Sequence, residues 1–321
     1  MSLRATLTRL DDVQQRTPWL AFPMAVAKKF GEDRGGSHAA LIAYYGFFSM
    51  FPLLLALVTV LGFLLANDPG LRKSIVDSAL SSFPVIGSQI RRNRIGGSGL
   101  ALAVALAFAV WTGLGVIRTA QVAMDDLWDV PKGDRPGFLA ATVRALLLLL
   151  VFGAGLAASA MLAGLSSSEG RFGVAAQILA FAGTVALNTL LFTTAFHVLT
   201  TAKITWRDVL PGGLVAAVGW AFLQFLGTWL VQRQLARATE VYGLFAAVIG
   251  LLSWIFIAAQ LTLVAAEINV VRSRHLWPRA LLPPPRTSSD VEAITRAAKE
   301  EERPGQVVDV RLGEADGEPR A

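Results

Sequence analysis

The chain contains no cysteine, which excludes a disulfide framework, a thiolate metal site and a thiol nucleophile. Charge is also sparse: Asp, Glu, Lys and Arg make up 16% of its 321 residues, against about 25% in soluble domains. Histidine occurs only at His38, His197 and His275, scattered without the paired spacing of metal ligands. No phosphate loop or dinucleotide glycine fingerprint is present, so no cofactor is expected. No nucleophile–base pair is legible either, and the chain is read as a non-enzyme. What the chain has in excess is apolar side chains, at 54% of residues. That is more than one water-soluble core of this length hides. The surplus must face lipid.

A net charge of +6 and a pI near 10 would suit nucleic acid, but the location of the charges argues otherwise. After Val271 the chain carries nine basic and nine acidic residues, so this part is neutral. The basic surplus sits beside apolar runs, where Lys and Arg set topology. No nucleic-acid partner is expected.

A helix needs about 20 mainly apolar residues to cross the hydrocarbon. Six stretches qualify, at about 39–66, 100–117, 138–165, 172–199, 209–231 and 242–271. They are continuous and lack the alternation of a barrel wall. The expected fold is all-α: a polytopic bundle of six transmembrane helices with amphipathic interfacial helices. Six spans put 20 Lys and Arg residues on the side of the termini and 8 on the other. Both termini are therefore expected in the cytoplasm. Arg144 falls inside the cytoplasmic end of the third span, where a long side chain can snorkel.

The segment 1–38 is polar and basic and does not read as a cleavable signal. Thr17-Pro18 reads as a cap and first helical position. The mix of Trp19, Leu20, Phe22 and Val26 with Lys28 and Lys29 suits a helix in the headgroup layer, or a plain connector. Between the first two spans, Asp68-Pro69 starts an expected external amphipathic helix, either packed on the bundle or acting as a lid. The segment 272–321 holds Pro283-Pro284-Pro285 and Lys299-Glu300-Glu301-Glu302, and is expected to be a disordered cytoplasmic tail.

Polar residues within the spans each need a partner or a watery surface. Glu267 is the clearest, about one turn from the cytoplasmic end of the sixth span. It reads either as a functional carboxylate for a proton, cation or basic headgroup, or as a structural partner of Arg144 or another base. Asn188, Gln224 and Gln260 read as interhelical hydrogen-bonding groups, or as the lining of a polar path. Pro52, after Ser49, should kink the first span and is a candidate hinge. Gly212-Gly213, Gly219 and Gly227 in the fifth span, and Gly153 with Ala157 and Ala160 in the third, should admit close helix approach. Asp125, Asp126 and Asp129 read as a solvated helical face rather than a metal site.

Several motifs carry a family resemblance. Ala43-Tyr44-Tyr45-Gly46-Phe47-Phe48-Ser49-Met50-Phe51-Pro52-Leu53-Leu54 resembles the first-span signature of the YihY/BrkB family of bacterial inner-membrane proteins. Asp126-Leu127-Trp128-Asp129-Val130, Pro211-Gly212-Gly213, Val241-Tyr242-Gly243-Leu244 and Ala265-Ala266-Glu267-Ile268-Asn269 resemble its later segments. Ala265 stands where the family often has glycine. The resemblance covers about residues 17 to 275 and implies six membrane helices with cytoplasmic termini. It implies no settled activity, since members have been called serum-resistance factors and a tRNA-processing ribonuclease. Metal-dependent RNA hydrolysis needs clustered ligands that are missing here. The intramembrane polar set, the kinked first span and the long external loop point to a transporter of a lipid or other amphiphilic envelope component. A non-transporting scaffold for envelope assembly is the alternative. Membrane lipids are the expected partners, and no oligomeric state is indicated.

Overall fold

A computed structural model describes residues 11–64, 99–148, 150, 151, 155, 174–238, 243–281 and 286–311. Among these residues all regular structure is helical. α1 (Pro18–Glu32) opens with proline at its first position after an extended Thr17, as the Thr-Pro pair leads one to expect. The left-handed Arg34 then turns the chain into α2 (Gly35–Leu64), which runs through Pro52. There follow α3 (Gly99–Leu127), α4 (Phe138–Leu148), α5 (Val174–Leu199), α6 (Trp206–Ala238), α7 (Gly243–Ser273) and α8 (Ser288–Glu300).

α7 is the central element and packs on α1, α2, α3 and α6. α6 is wedged between α5 and α7, and glycine makes that possible. A Cβ on Gly212 would sit 2.1 Å from the Ala265 carbonyl oxygen, and one on Gly213 would sit 2.1 Å from Thr193 Oγ1. The Gly212 N–H instead donates to Asn269 Oδ1 at 2.6 Å. Deeper along α6, Gly219 meets Leu261 and Gly227 meets Trp254, so the expected close approach of the fifth span holds.

The buried core lies at one end of the bundle, around Met124, Leu127, Trp128, Phe196, Ala266 and Val270. Away from that end, large apolar side chains such as Trp111, Leu179, Phe181, Phe225 and Phe245 are exposed. Water would penalise such a surface and acyl chains solvate it. Three stretches among the described residues are long and apolar enough to cross a membrane: Phe181–Leu199, Trp206–Gly227 and Val248–Ser273. The first two expected spans coincide with α2 and α3. The third is described mainly through α4, so Gly153, Ala157 and Ala160 lie outside the described residues, as does the expected helix after Asp68.

The expected disordered tail is corrected for residues 272–281 and 286–311. α8 is capped by Thr287, whose side chain accepts from Asp290 N while Asp290 reaches back to the cap, a closed capping box. Leu276, Ala280 and Ala293 are buried against the bundle. Composition is a poor guide here because the segment needs no core of its own: it borrows one, and its charges find partners on α1 and in the loop after α3.

Candidate functional site

The ends of three elements meet in a buried ionic cluster. Lys29 comes from α1, Asp33 caps α1, Asp129 follows α3, and Glu267 lies on α7. The Lys29 ammonium donates to Asp33, to Asp129 Oδ1 at 3.1 Å and to the Leu127 carbonyl at 3.3 Å. Glu267 is 0% exposed, and neither of its oxygens receives an N–H or O–H from the described residues. Its charged neighbours are Lys29, Asp33 and Asp129. Burial would lower the Lys29 pKa, but the surrounding carboxylates of Glu267, Asp33 and Asp129 raise it, and the net shift is upward. Burial pushes Asp33 and Asp129 up, with Lys29 pulling each back down.

Three carboxyls thus surround one fixed positive charge. Fully ionised, they would leave uncompensated negative charge out of water, at a cost of several kcal/mol per ion. A proton on one of the carboxyls reduces that cost. The arrangement is chemically suited to holding and releasing a proton. No group of three or more side chains placed to hold a metal ion occurs among the described residues.

A second network joins the ends of the chain. Arg279, 1% exposed, donates through Nε to Asp290 Oδ1 at 2.6 Å and through Nη2 to both Glu32 carboxylate oxygens at 2.9 Å. Lys28 Nζ donates to the same Asp290 oxygen at 2.8 Å and to the Ala280 carbonyl at 2.7 Å. Burial opposes ionisation of Asp290, yet these donors hold its carboxyl below the usual range. A third network binds α8 to α2 and α3. His38 Nε2 lies 3.0 Å from Asp126 Oδ2, Arg135 Nη1 lies 2.7 Å from Asp126 Oδ1, and Arg135 Nη2 reaches Glu300 Oε1 at 2.8 Å. The segments before α2 and after α7 therefore share one face.

The structure divides the polar residues singled out in the spans. Asn188 and Gln260 are half-buried and neither hydrogen-bonds to Glu267, while Gln224 is exposed on α6. Ser49 donates to the Gly46 carbonyl at 2.8 Å, within its own helix. Arg144 forms no ion pair with Glu267, and Lys29 supplies the nearby positive charge instead. The solvated reading of the aspartates is also corrected, because Asp125 and Asp129 are buried and Asp126 is paired. Asp125 accepts from Thr201 N at 2.7 Å and from its hydroxyl at 2.9 Å. Lys29 reads in the sequence as a headgroup-facing lysine, and Asp33, Arg279 and Asp290 carry no site signal there beyond the Lys29–Asp33 helical spacing.

A family model described as virulence factor BrkB matches residues 26–288. The chain belongs to this family. It is 23% identical over 286 residues to the inner membrane protein YhjD of Escherichia coli (strain K12), covering 81% of this chain and 83% of that protein. It is 22% identical over 267 residues to a Bacillus subtilis (strain 168) protein named as ribonuclease-like, YfkH, covering 78% and 95%. A UPF0761 membrane protein of Methylibium petroleiphilum is 25% identical over 290 residues, covering 83% and 65%. No solved structure matches the chain. As a BrkB-family member the chain is a membrane protein, and the matched region contains Lys29, Asp33, Asp129 and Glu267 together.

Proposed function

We propose that this BrkB-family chain is a proton-linked transporter of a lipid or other amphiphilic envelope component, crossing the inner membrane six times with both termini cytoplasmic. One observation carries the reading: three buried carboxyls share one lysine at the end of the central helix. A proton held there is exchangeable when the elements that supply the cluster separate. Because Lys29 and Asp33 come from a helix outside the spans, movement of α1 would change the charge balance around Glu267. The lipid-solvated flanks of α5, α6 and α7 suit a cargo that enters from the bilayer. Purified protein in lipid vesicles, loaded with a pH dye and a panel of lipids and amphiphiles, tests this. Cargo movement coupled to proton flux, abolished by Glu267→Gln at unchanged vesicle content, is expected. Movement of no panel member overturns it.

A second reading, a scaffold for envelope assembly, draws support from a different observation. A cavity between the turn after α3, the end of α7 and α8 is lined by Asp129 and not by Glu267. On this reading the cluster locks α1 to the bundle, and Glu267→Gln lowers the amount of folded protein in the membrane.

A further inference from the structure

The C-terminal segment, residues 276–281 and 286–302, supplies none of the four cluster residues, yet it grips the two elements that close the cluster. At one end it is bound to α1 on either side of Lys29. Arg279 Nη2 donates to both Glu32 carboxylate oxygens at 2.9 Å, and Lys28 Nζ donates to Asp290 Oδ1 at 2.8 Å and to the Ala280 carbonyl at 2.7 Å. The Phe22 and Trp277 rings meet edge-on there, with centroids 5.2 Å apart. At the other end the segment is bound to the turn that follows Asp129. The Lys132 and Gly133 N–H groups donate to the Glu300 and Glu302 carbonyls at 2.9 Å each, and Arg135 Nη2 donates to Glu300 Oε1 at 2.8 Å. Of the cluster residues only Glu267 belongs to the central helix. Lys29 and Asp33 move with α1, and Asp129 moves with the turn.

The two parts of the segment are stapled to each other. Arg279 Nε donates to Asp290 Oδ1 at 2.6 Å, Ala280 N donates to Asp290 Oδ2 at 2.9 Å, and Thr287 Oγ1 donates to the Pro278 carbonyl at 3.0 Å. This staple is dry, with the Arg279 and Asp290 side chains 1% and 2% exposed. The attachments are wetter: the Glu32 side chain is 41% exposed, and those of Arg135 and Glu300 are 17% and 20% exposed. Water competes with the attachments and not with the staple, so the outer bonds yield first. Among the described residues no helix packs broadly on α8, so little apolar contact opposes its release. Glu267, by contrast, is fully buried, and a proton there exchanges with water only through an opening. Its charged neighbours sit on α1 and the turn after α3, which therefore cover the polar way out. We propose that the C-terminal segment is a strap that governs water access to Glu267. Docked, it holds α1 and the turn closed over the carboxyl; released, it lets Lys29 and Asp129 withdraw. It is an autoinhibitory contact on proton exchange. Strap control rests on the cluster holding a proton, as the transport reading requires, but its measurement needs no cargo.

Infrared spectroscopy of the full chain in phosphatidylcholine nanodiscs, transferred into deuterium oxide, tests it. The protonated-carboxyl band that Glu267→Gln removes belongs to the cluster, and its isotope shift times the exchange. Two variants loosen the strap and leave the cluster residues in place. Glu32→Ala removes the α1 attachment while Arg279 keeps Asp290. Gly133→Val puts a side chain where a Cβ already lies 3.1 Å from Pro304 N and 3.2 Å from the Arg303 carbonyl carbon. Each should speed the exchange about tenfold or more, as the loss of one charge-assisted contact would. Gly227→Ala, which crowds Trp254 deeper in the bundle, weakens packing away from the strap and should leave the rate unchanged. Absence of any carboxyl band lost in Glu267→Gln overturns the proton site, and with it both the transport reading and the strap. A band that exchanges at the wild-type rate in either strap variant, or equally fast in Gly227→Ala, overturns the strap alone.

Discussion

Lys29 and Asp129 meet at 3.1 Å with both side chains 2% exposed, although one sits on a helix outside the spans and the other just past the end of α3. An ammonium so far from water persists only because carboxylates outnumber it. The pair fastens α1 across the end of the bundle, against the helix that carries Glu267. The position of α1 and the charge state of the cluster are thus one variable.

Removing the base should therefore be costly. Lys29→Met leaves three buried carboxyls without compensation, and breaking a buried pair costs about 3–5 kcal/mol. Thermal unfolding in detergent should show a marked loss for Lys29→Met. Adding Asp129→Asn should restore part of it, because the neutral amide no longer needs the ammonium. Strictly additive losses in the two variants would show that the residues are not coupled.

Gly212 offers a test of packing without charge. Alanine there meets the Ala265 carbonyl oxygen and the Asn269 side chain, both too close for van der Waals contact. Gly212→Ala should cost about 1–3 kcal/mol, the usual penalty of overpacking. Gly250 has open space around it on α7, so Gly250→Ala should be neutral or gain up to about 1 kcal/mol from helix propensity. Equal melting of the two variants would contradict the wedged position of α6.

Helices, close-approach glycines and lipid-facing surfaces were legible in the sequence because each follows from a local pattern. Pro211-Gly212-Gly213 announces a tight crossing whatever lies opposite. Partners were not legible, because pairing is a property of the ends of elements far apart in the chain. Arg279 and Glu32 are separated by 247 residues. The charges of residues 272–321 balance within the segment, yet Arg279 pairs with Glu32 of α1 as well as with Asp290. Lys29 looked like a headgroup-facing lysine because Lys28 beside it has the same chemistry. Only the register of α1 against α7 sends one inward.

Asp290 should be the pin of the C-terminal segment. It accepts from Lys28, Arg279, Ala280 N and the Thr287 cap at once. Asp290→Ala removes the capping box, worth about 1 kcal/mol, and leaves the Arg279 guanidinium, at 1% exposure, paired with Glu32 alone among the described residues. α8 should undock while the helices of the bundle remain. Faster tryptic cleavage at Arg296, with unchanged helical signal from the bundle, is the expected result. Unaltered cleavage would mean that other contacts suffice.

The Glu300 end of α8 should respond to pH. Burial and the neighbouring Asp126 carboxylate push the Glu300 carboxyl from its ordinary 4.5 up to about 7, against the pull of Arg135. The docked form thus binds a proton that the free segment releases at lower pH. Its contribution to docking is complete below about 4.5 and is lost as pH rises through about 7. The absence of cysteine makes the measurement direct, since a nitroxide on Val307→Cys, at an exposed site, labels one position only. Its mobility should increase from pH 6 to pH 8. Glu300→Gln, uncharged throughout, should keep the low-mobility spectrum across that range. His38 faces the other Asp126 oxygen, so His38→Gln is the control for that contact. A transition that survives in Glu300→Gln and disappears in His38→Gln would assign the response to the imidazole instead.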